Sequence, residues 1–116
     1  MRALQIRSHW RPLVASETTA LEPAIGVYEI RVDGAVRVIG YAGARSLFGL
    51  QGELTALADT IPGAEFRAEV TSAYLTRWHE LLGAHVATFG CPPPDNDSSE
   101  LPRPLLPIGP RGNAVP

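Results

Sequence analysis

The sequence predicts a small α+β domain: a three-stranded sheet, antiparallel or mixed, flanked by helices and followed by a proline-rich tail. Three observations carry that class. An Asp-Gly pair separates two runs rich in Val, Ile and Tyr, the pattern of a two-residue hairpin. Two later segments space their apolar residues at three and four, as helices do. Eight of the eleven prolines follow residue 90, where they leave almost no room for helix or central strand.

Taken in order, "LQIRSHWRPLV" at residues 4–14 offers a short strand or a turn of helix anchored by Trp10, and residues 15–24 read as a connecting loop. Residues 25–32 and 35–41 are the hairpin strands. Residues 47–58 carry Leu47, Leu50, Leu54, Leu57 and Ala58 as a helical stripe ended by "TIPG", with Gly49 and Gly52 weakening its first turns. Residues 64–70 alternate Phe66, Ala68 and Val70 with Glu65, Arg67 and Glu69, as a third strand with one wet face does.

The longest helix is expected over residues 72–89, with Thr71 or Ser72 as N-cap and Gly90 as its stop. At 100° per residue, Tyr74, Leu75, Trp78, Leu81, Leu82, His85, Val86 and Phe89 fall on one arc, the core side. A hydrogen-bonded buried histidine is the expectation for His85. Glu80 projects from the opposite side, among Ala73, Thr76, Arg77, Ala84 and Ala87.

Domain organisation follows. The 116 residues, 45% of them apolar, suffice for one domain over residues 1–90. Residues 91–116 form the tail, where Leu101, Leu105, Leu106 and Ile108 favour docking over a free chain. Arg2, Arg7 and Arg11 interrupt the N-terminus, unlike a secretory signal. No run approaches the roughly 20 apolar residues of a membrane span. One cysteine, Cys91, excludes an internal disulfide and suits a reducing compartment, so a cytoplasmic protein is expected. Net charge is -2, which argues against indiscriminate polyphosphate binding. All ten cations are arginines, planar forks suited to bidentate contact with phosphate or carboxylate.

A two-residue turn puts Val32 opposite Ala35 and, continued without interruption, Tyr28 opposite Ile39, so that Tyr41 and Arg37 share the face of Tyr28. Two phenols and a guanidinium on one surface can orient water, hold a phosphate or stack a base. They equally suit the half-buried face of any sheet.

"GVY" at residues 26–28, then "VIG" and "YAG" at residues 38–43, then a helix, a strand and a helix bearing a glutamate, resemble the GIY-YIG nuclease domain over roughly residues 25–96. The resemblance implies metal-dependent hydrolysis of a phosphodiester by an endonuclease. Tyr28 matches the first motif tyrosine. "VIG" keeps Ile-Gly without the phenol, whereas "YAG" keeps the phenol of Tyr41 at a longer spacing. The family's helix arginine is replaced by Glu53, or by Gln51 in the other register, leaving Arg45 as the nearby substitute. Glu80 takes the place of the metal-binding glutamate, for Mg²⁺ or Mn²⁺. Asn96 resembles the closing asparagine, and Arg37, on the expected face of Tyr28, is the alternative to Arg45 as the cation for the phosphate.

Two functions stand at this point. One is a divergent nuclease using Tyr28, Tyr41, Arg45 and Glu80 on DNA or RNA, weakened because Glu53 would repel the charge that a guanidinium stabilises. The other is a non-catalytic module on the same fold, binding nucleic acid or protein, with the proline-rich tail as contact surface. Other chemistries lack their residues. "GARSLFG" has no terminal Gly-Lys-Ser/Thr for a P-loop. His79 and His85 are six apart and one cysteine builds no structural zinc site. Cys91 has no nearby cation to activate it, and Ser8-His9 is too local for a triad.

Overall fold

The Asp33-Gly34 turn forms as its residues dictate. In the computed structural model, which describes residues 5–96, φ is 52° at Asp33 and 81° at Gly34, the left-handed pair that a type I′ hairpin turn needs. The turn joins β2 (Gly26–Val32) to β3 (Ala35–Ala42), and Val32 faces Ala35.

The register then shifts. Arg31 pairs with Val36 but Ile30 with Val38, so Arg37 is the extra residue of a β-bulge. One inserted residue sends every later side chain to the other face. Tyr28 therefore lies opposite Gly40 rather than Ile39, and Tyr41 lies opposite Val27. The expectation that Tyr41 shares the face of Tyr28 is thereby corrected. Tyr28 packs with Ile30, Leu50 and Leu54 on one side of the sheet, whereas Tyr41 contacts Tyr74 and Trp78 on the other.

Among the described residues the sheet has four antiparallel strands, not three, in the order β1-β4-β2-β3. The added strand, β1 (Arg11–Pro12), pairs with β4 (Ala64–Val70). Residues 15–24, read as a loop, contain the short helix α1 (Ala15–Thr18), whose buried Thr18 has its hydroxyl 2.9 Å from that of Thr55. Thr55 belongs to α2 (Gly49–Ala58), which covers one sheet face. The other face is covered by α3 (Tyr74–Phe89) through Trp78, Leu81 and Leu82 against Val27 and Ile39. Burying each such large apolar side chain contributes about 1.5–3 kcal/mol. Among the described residues no helix is long and apolar enough to cross a membrane.

Three details of the helices depart from periodicity. Leu47 precedes α2 and is 86% exposed. Leu75, Val86 and Phe89 of the expected core arc are exposed, because the sheet reaches only the middle of α3. Arg77, expected on the polar side, is 4% exposed. Its guanidinium donates to both carboxylate oxygens of Glu69, at 2.9 and 3.1 Å, and to the Gln5 carbonyl at 3.1 Å.

The charged face of β4 is also drier than alternation implies. Arg67 Nε donates to Glu29 Oε1 at 2.6 Å and Arg31 Nε to Glu65 Oε1 at 2.8 Å. The Trp10 ring lies against both guanidiniums, 4.2 Å from Arg31 and 4.3 Å from Arg67, a double cation-π contact. Beyond α3, Pro93 is buried, and the Asp95 N–H donates to the Arg37 carbonyl at 2.9 Å. Leu101, Leu105, Leu106 and Ile108 lie outside the described residues.

Candidate functional site

β3 is an edge strand, and its outer edge is where the candidate residues gather. Opposite Tyr28 stands Gly40, and a Cβ built there would lie 2.5 Å from both Cζ and Oη of Tyr28. The missing side chain lets the phenol lie across β3. Three residues on, a Cβ at Gly43 would meet the Tyr74 ring at 2.8 Å. Tyr74 enters that space from α3, and its hydroxyl accepts from the Ala44 N–H at 3.3 Å. The two glycines thus admit one tyrosine each, from opposite faces of the sheet.

Between them opens a cleft of about 750 Å³ that wraps around the β3 edge from α2 to α3, a size suited to a small ligand or a short peptide segment. Its wall is aromatic. Tyr41 stacks on Tyr74 with centroids 5.5 Å apart and meets Trp78 edge-on at 4.9 Å. The Trp78 indole N–H donates to the Ile39 carbonyl at 2.9 Å, which fixes the ring against β3. Arg45 lines the cleft and has no hydrogen bond or ion pair among the described residues. Glu53 lines it from α2, accepting from the Ser46 hydroxyl at 3.2 Å.

Of the residues singled out in the sequence, Tyr28, Tyr41 and Arg45 meet here, the two phenols approaching from opposite sheet faces. Glu80 does not. It accepts from Arg77 Nη1 at 3.3 Å, beside Glu69, and so lies on the α3 face toward β4, with β2 between it and the cleft strand. Burial opposes the charge of Arg77, but Glu69 and Glu80 outweigh it and raise its pKa above the ordinary value. Arg37 and Asn96 do not line the cleft either. Arg37 grips Asp95, Nη2 to Oδ2 at 3.0 Å. The Asn96 amide accepts from the Ile39 N–H and donates to its carbonyl, both at 2.9 Å. Asn96 thus mimics a neighbouring strand.

Helical periodicity assigns Tyr74 and Trp78 to the core, and Glu53 reads from the sequence only as a departure from a motif. Glycines inside a strand signal close backbone approach, and Gly40 and Gly43 were the available pointers to a crowded aromatic edge. Among the described residues no three His, Cys, Asp or Glu gather as a metal group. The cleft carboxylates are Glu53, held by Ser46, and Asp95, held by Arg37. Compared with protein-family models, characterised proteins and solved structures, the chain matches none.

Proposed function

We propose that this chain is a non-catalytic peptide-binding module on a divergent GIY-YIG-like scaffold, and that its cleft accepts an extended, proline-containing segment. The observation that carries this reading is the composition of the cleft: Tyr28, Tyr41, Tyr74 and Trp78 with a single unpartnered guanidinium. Aromatic grooves recognise polyproline II segments because such segments are extended before binding and lose little entropy. Leu75 lines the cleft and is exposed, and the exposed Leu47 and Phe48 follow the lining residues Arg45 and Ser46 in sequence; exposed apolar groups in numbers mark interaction sites.

Nucleic acid is less well served. Arg11, Arg31, Arg37, Arg67 and Arg77 are all held by carboxylates, leaving few guanidiniums to release counterions from a phosphate backbone. A second reading, phosphodiester hydrolysis, is favoured by one observation, the meeting of Tyr28, Tyr41 and Arg45 with Glu53 in one cleft. There Glu53, the cleft carboxylate with no cationic partner among the described residues, would hold Mg²⁺ or Mn²⁺, which commonly takes one or two carboxylates and retains waters. The ion would stabilise developing charge.

The experiment is an NMR titration of the full chain with a synthetic Pro-x-x-Pro decapeptide and, separately, with oligothymidylate and duplex DNA in Mg²⁺ or Mn²⁺. Saturable shifts of the Tyr41, Arg45 and Trp78 signals by the peptide, unchanged by chelator, are expected. Cleavage lost in Arg45→Ala, with no peptide response, would replace this reading by the nuclease.

A further inference from the structure

Among the described residues, the free edge of β3 at the cleft is one residue long. Outward-facing backbone groups recur at every second residue of an edge strand. At Ile39 both are taken: the N–H donates to the Asn96 side chain, and the carbonyl accepts from Asn96 and from the Trp78 indole. Past the end of the strand, the Gly43 carbonyl accepts from the Ser46 N–H. Tyr41 lies between these closed positions. It faces Val27 two residues on from the Ile39–Glu29 pair, so its N–H and carbonyl also point outward, and they have no partner among the described residues. Tyr41 lines the cleft, which therefore offers an entering chain one backbone donor and one backbone acceptor in strand geometry.

We propose that the bound segment adds to this edge through a single antiparallel residue pair, exchanging both hydrogen bonds with Tyr41, and carries proline two residues before and two residues after the paired one. The inference rests on the reading of the cleft as a peptide site and states how the peptide is held there. In an antiparallel pair one residue supplies both the N–H and the carbonyl, so the paired residue is not proline. On either side the edge is closed, and the segment's next edge-facing N–H in each direction finds no free carbonyl. A desolvated donor without a partner is costly. Proline lacks that donor and is tolerated on an edge strand, so it suits both positions. The antiparallel direction sends the segment's N-terminal part past Gly43 toward Arg45, the cleft cation with no ion pair among the described residues. An acidic residue ahead of the first proline matches it.

The test is an NMR titration of the full chain with the peptide Glu-Glu-Pro-Ala-Val-Ala-Pro-Ala, read on the Tyr41 amide and Trp78 indole N–H signals. Two analogues replace one peptide N–H by an ester oxygen: at Val, whose donor faces Tyr41, and at the Ala that follows, whose donor faces away. The Val ester is expected to bind at least about tenfold more weakly than the parent, the Ala ester within about twofold of it. A third analogue with alanine for both prolines is expected to bind more weakly than the parent, and undiminished binding overturns the proline positions. Equal, saturable binding by the two esters overturns the backbone pair and leaves the peptide site standing. Silence toward this peptide, with saturable binding of the Pro-x-x-Pro decapeptide, has the same meaning. Silence toward both peptides overturns the peptide site as well.

Discussion

Gly40→Ala tests the packing on which the cleft is built. The new methyl would lie 2.5 Å from Cζ and Oη of Tyr28 and 3.0 Å from Cε1, about 1 Å inside the separation at which carbon atoms attract. Tyr28 is buried against Leu50 and Leu54, so the ring cannot withdraw without opening the core. Overpacking of this kind costs about 1–3 kcal/mol. Alanine in a strand recovers roughly 0.5–1 kcal/mol over glycine, which leaves a net loss of up to about 2.5 kcal/mol. In a Tyr28→Leu background the obstacle is gone, and the same substitution should stabilise by roughly 0.5–1 kcal/mol. Four proteins complete the cycle, each unfolded in urea with tryptophan fluorescence as the signal and midpoints compared at constant slope. The coupling energy should equal the steric cost, about 1–3 kcal/mol. If Gly40→Ala shifts stability equally in both backgrounds, the phenol does not depend on that gap and the account of the edge is wrong.

Three further outcomes follow from particular contacts. Glu29→Gln leaves Arg67, whose side chain is 13% exposed, without its charge partner, and thermal unfolding should register a loss of about 3–5 kcal/mol. Asn96→Ala removes two hydrogen bonds to Ile39; stability should fall by about 1–3 kcal/mol, and hydrogen exchange of the Ile39 amide should quicken while that of Ile30 changes only by the global amount. Burial lowers the pKa of His85, partly offset by Glu29, so the folded state takes up this proton later than the unfolded chain. As pH falls through about 6.5, the unfolded chain protonates first and stability drops until folded His85 protonates too. In His85→Gln that part of the acid limb should be missing when Tm is followed across this window.

Local rules made much of the fold readable. Asp33-Gly34 set the turn, and Gly90 stops α3 in the left-handed conformation at φ 81° because only the absence of a Cβ makes that conformation inexpensive. β1 has two residues and α1 four, too few for either period to show. Arg77 reads as solvated because it is a cation on a helix, whereas Glu69 compensates its burial from β4, a position that only the folded chain brings near, with Glu80 adding a second carboxylate three residues along the helix. The bulge was equally invisible. Arg37 is clasped by Asp95, 58 residues away, and nothing within the hairpin itself marks it as the extra residue. Three of the cleft residues, Tyr28, Tyr41 and Arg45, were nonetheless singled out from the chain alone, though on the premise of one shared face.

That premise fails in a way that explains why a cleft exists. Without the bulge, Tyr28 of β2 and Tyr41 of β3 would be diagonal neighbours on one face of the sheet, and the β3 edge would remain a plain row of backbone groups, the surface through which sheets aggregate. With Arg37 inserted, one phenol reaches the edge from the α2 side, the other stands on the α3 side, and the edge becomes the floor between two aromatic walls. Asp95 and Asn96 cover the part of that floor at Arg37 and Ile39. Protecting the rest at Tyr41 requires an extended segment that accepts hydrogen bonds and packs on aromatic rings, and recognising a proline-rich peptide requires the same. Edge protection and ligand binding are thus one physical problem at this strand.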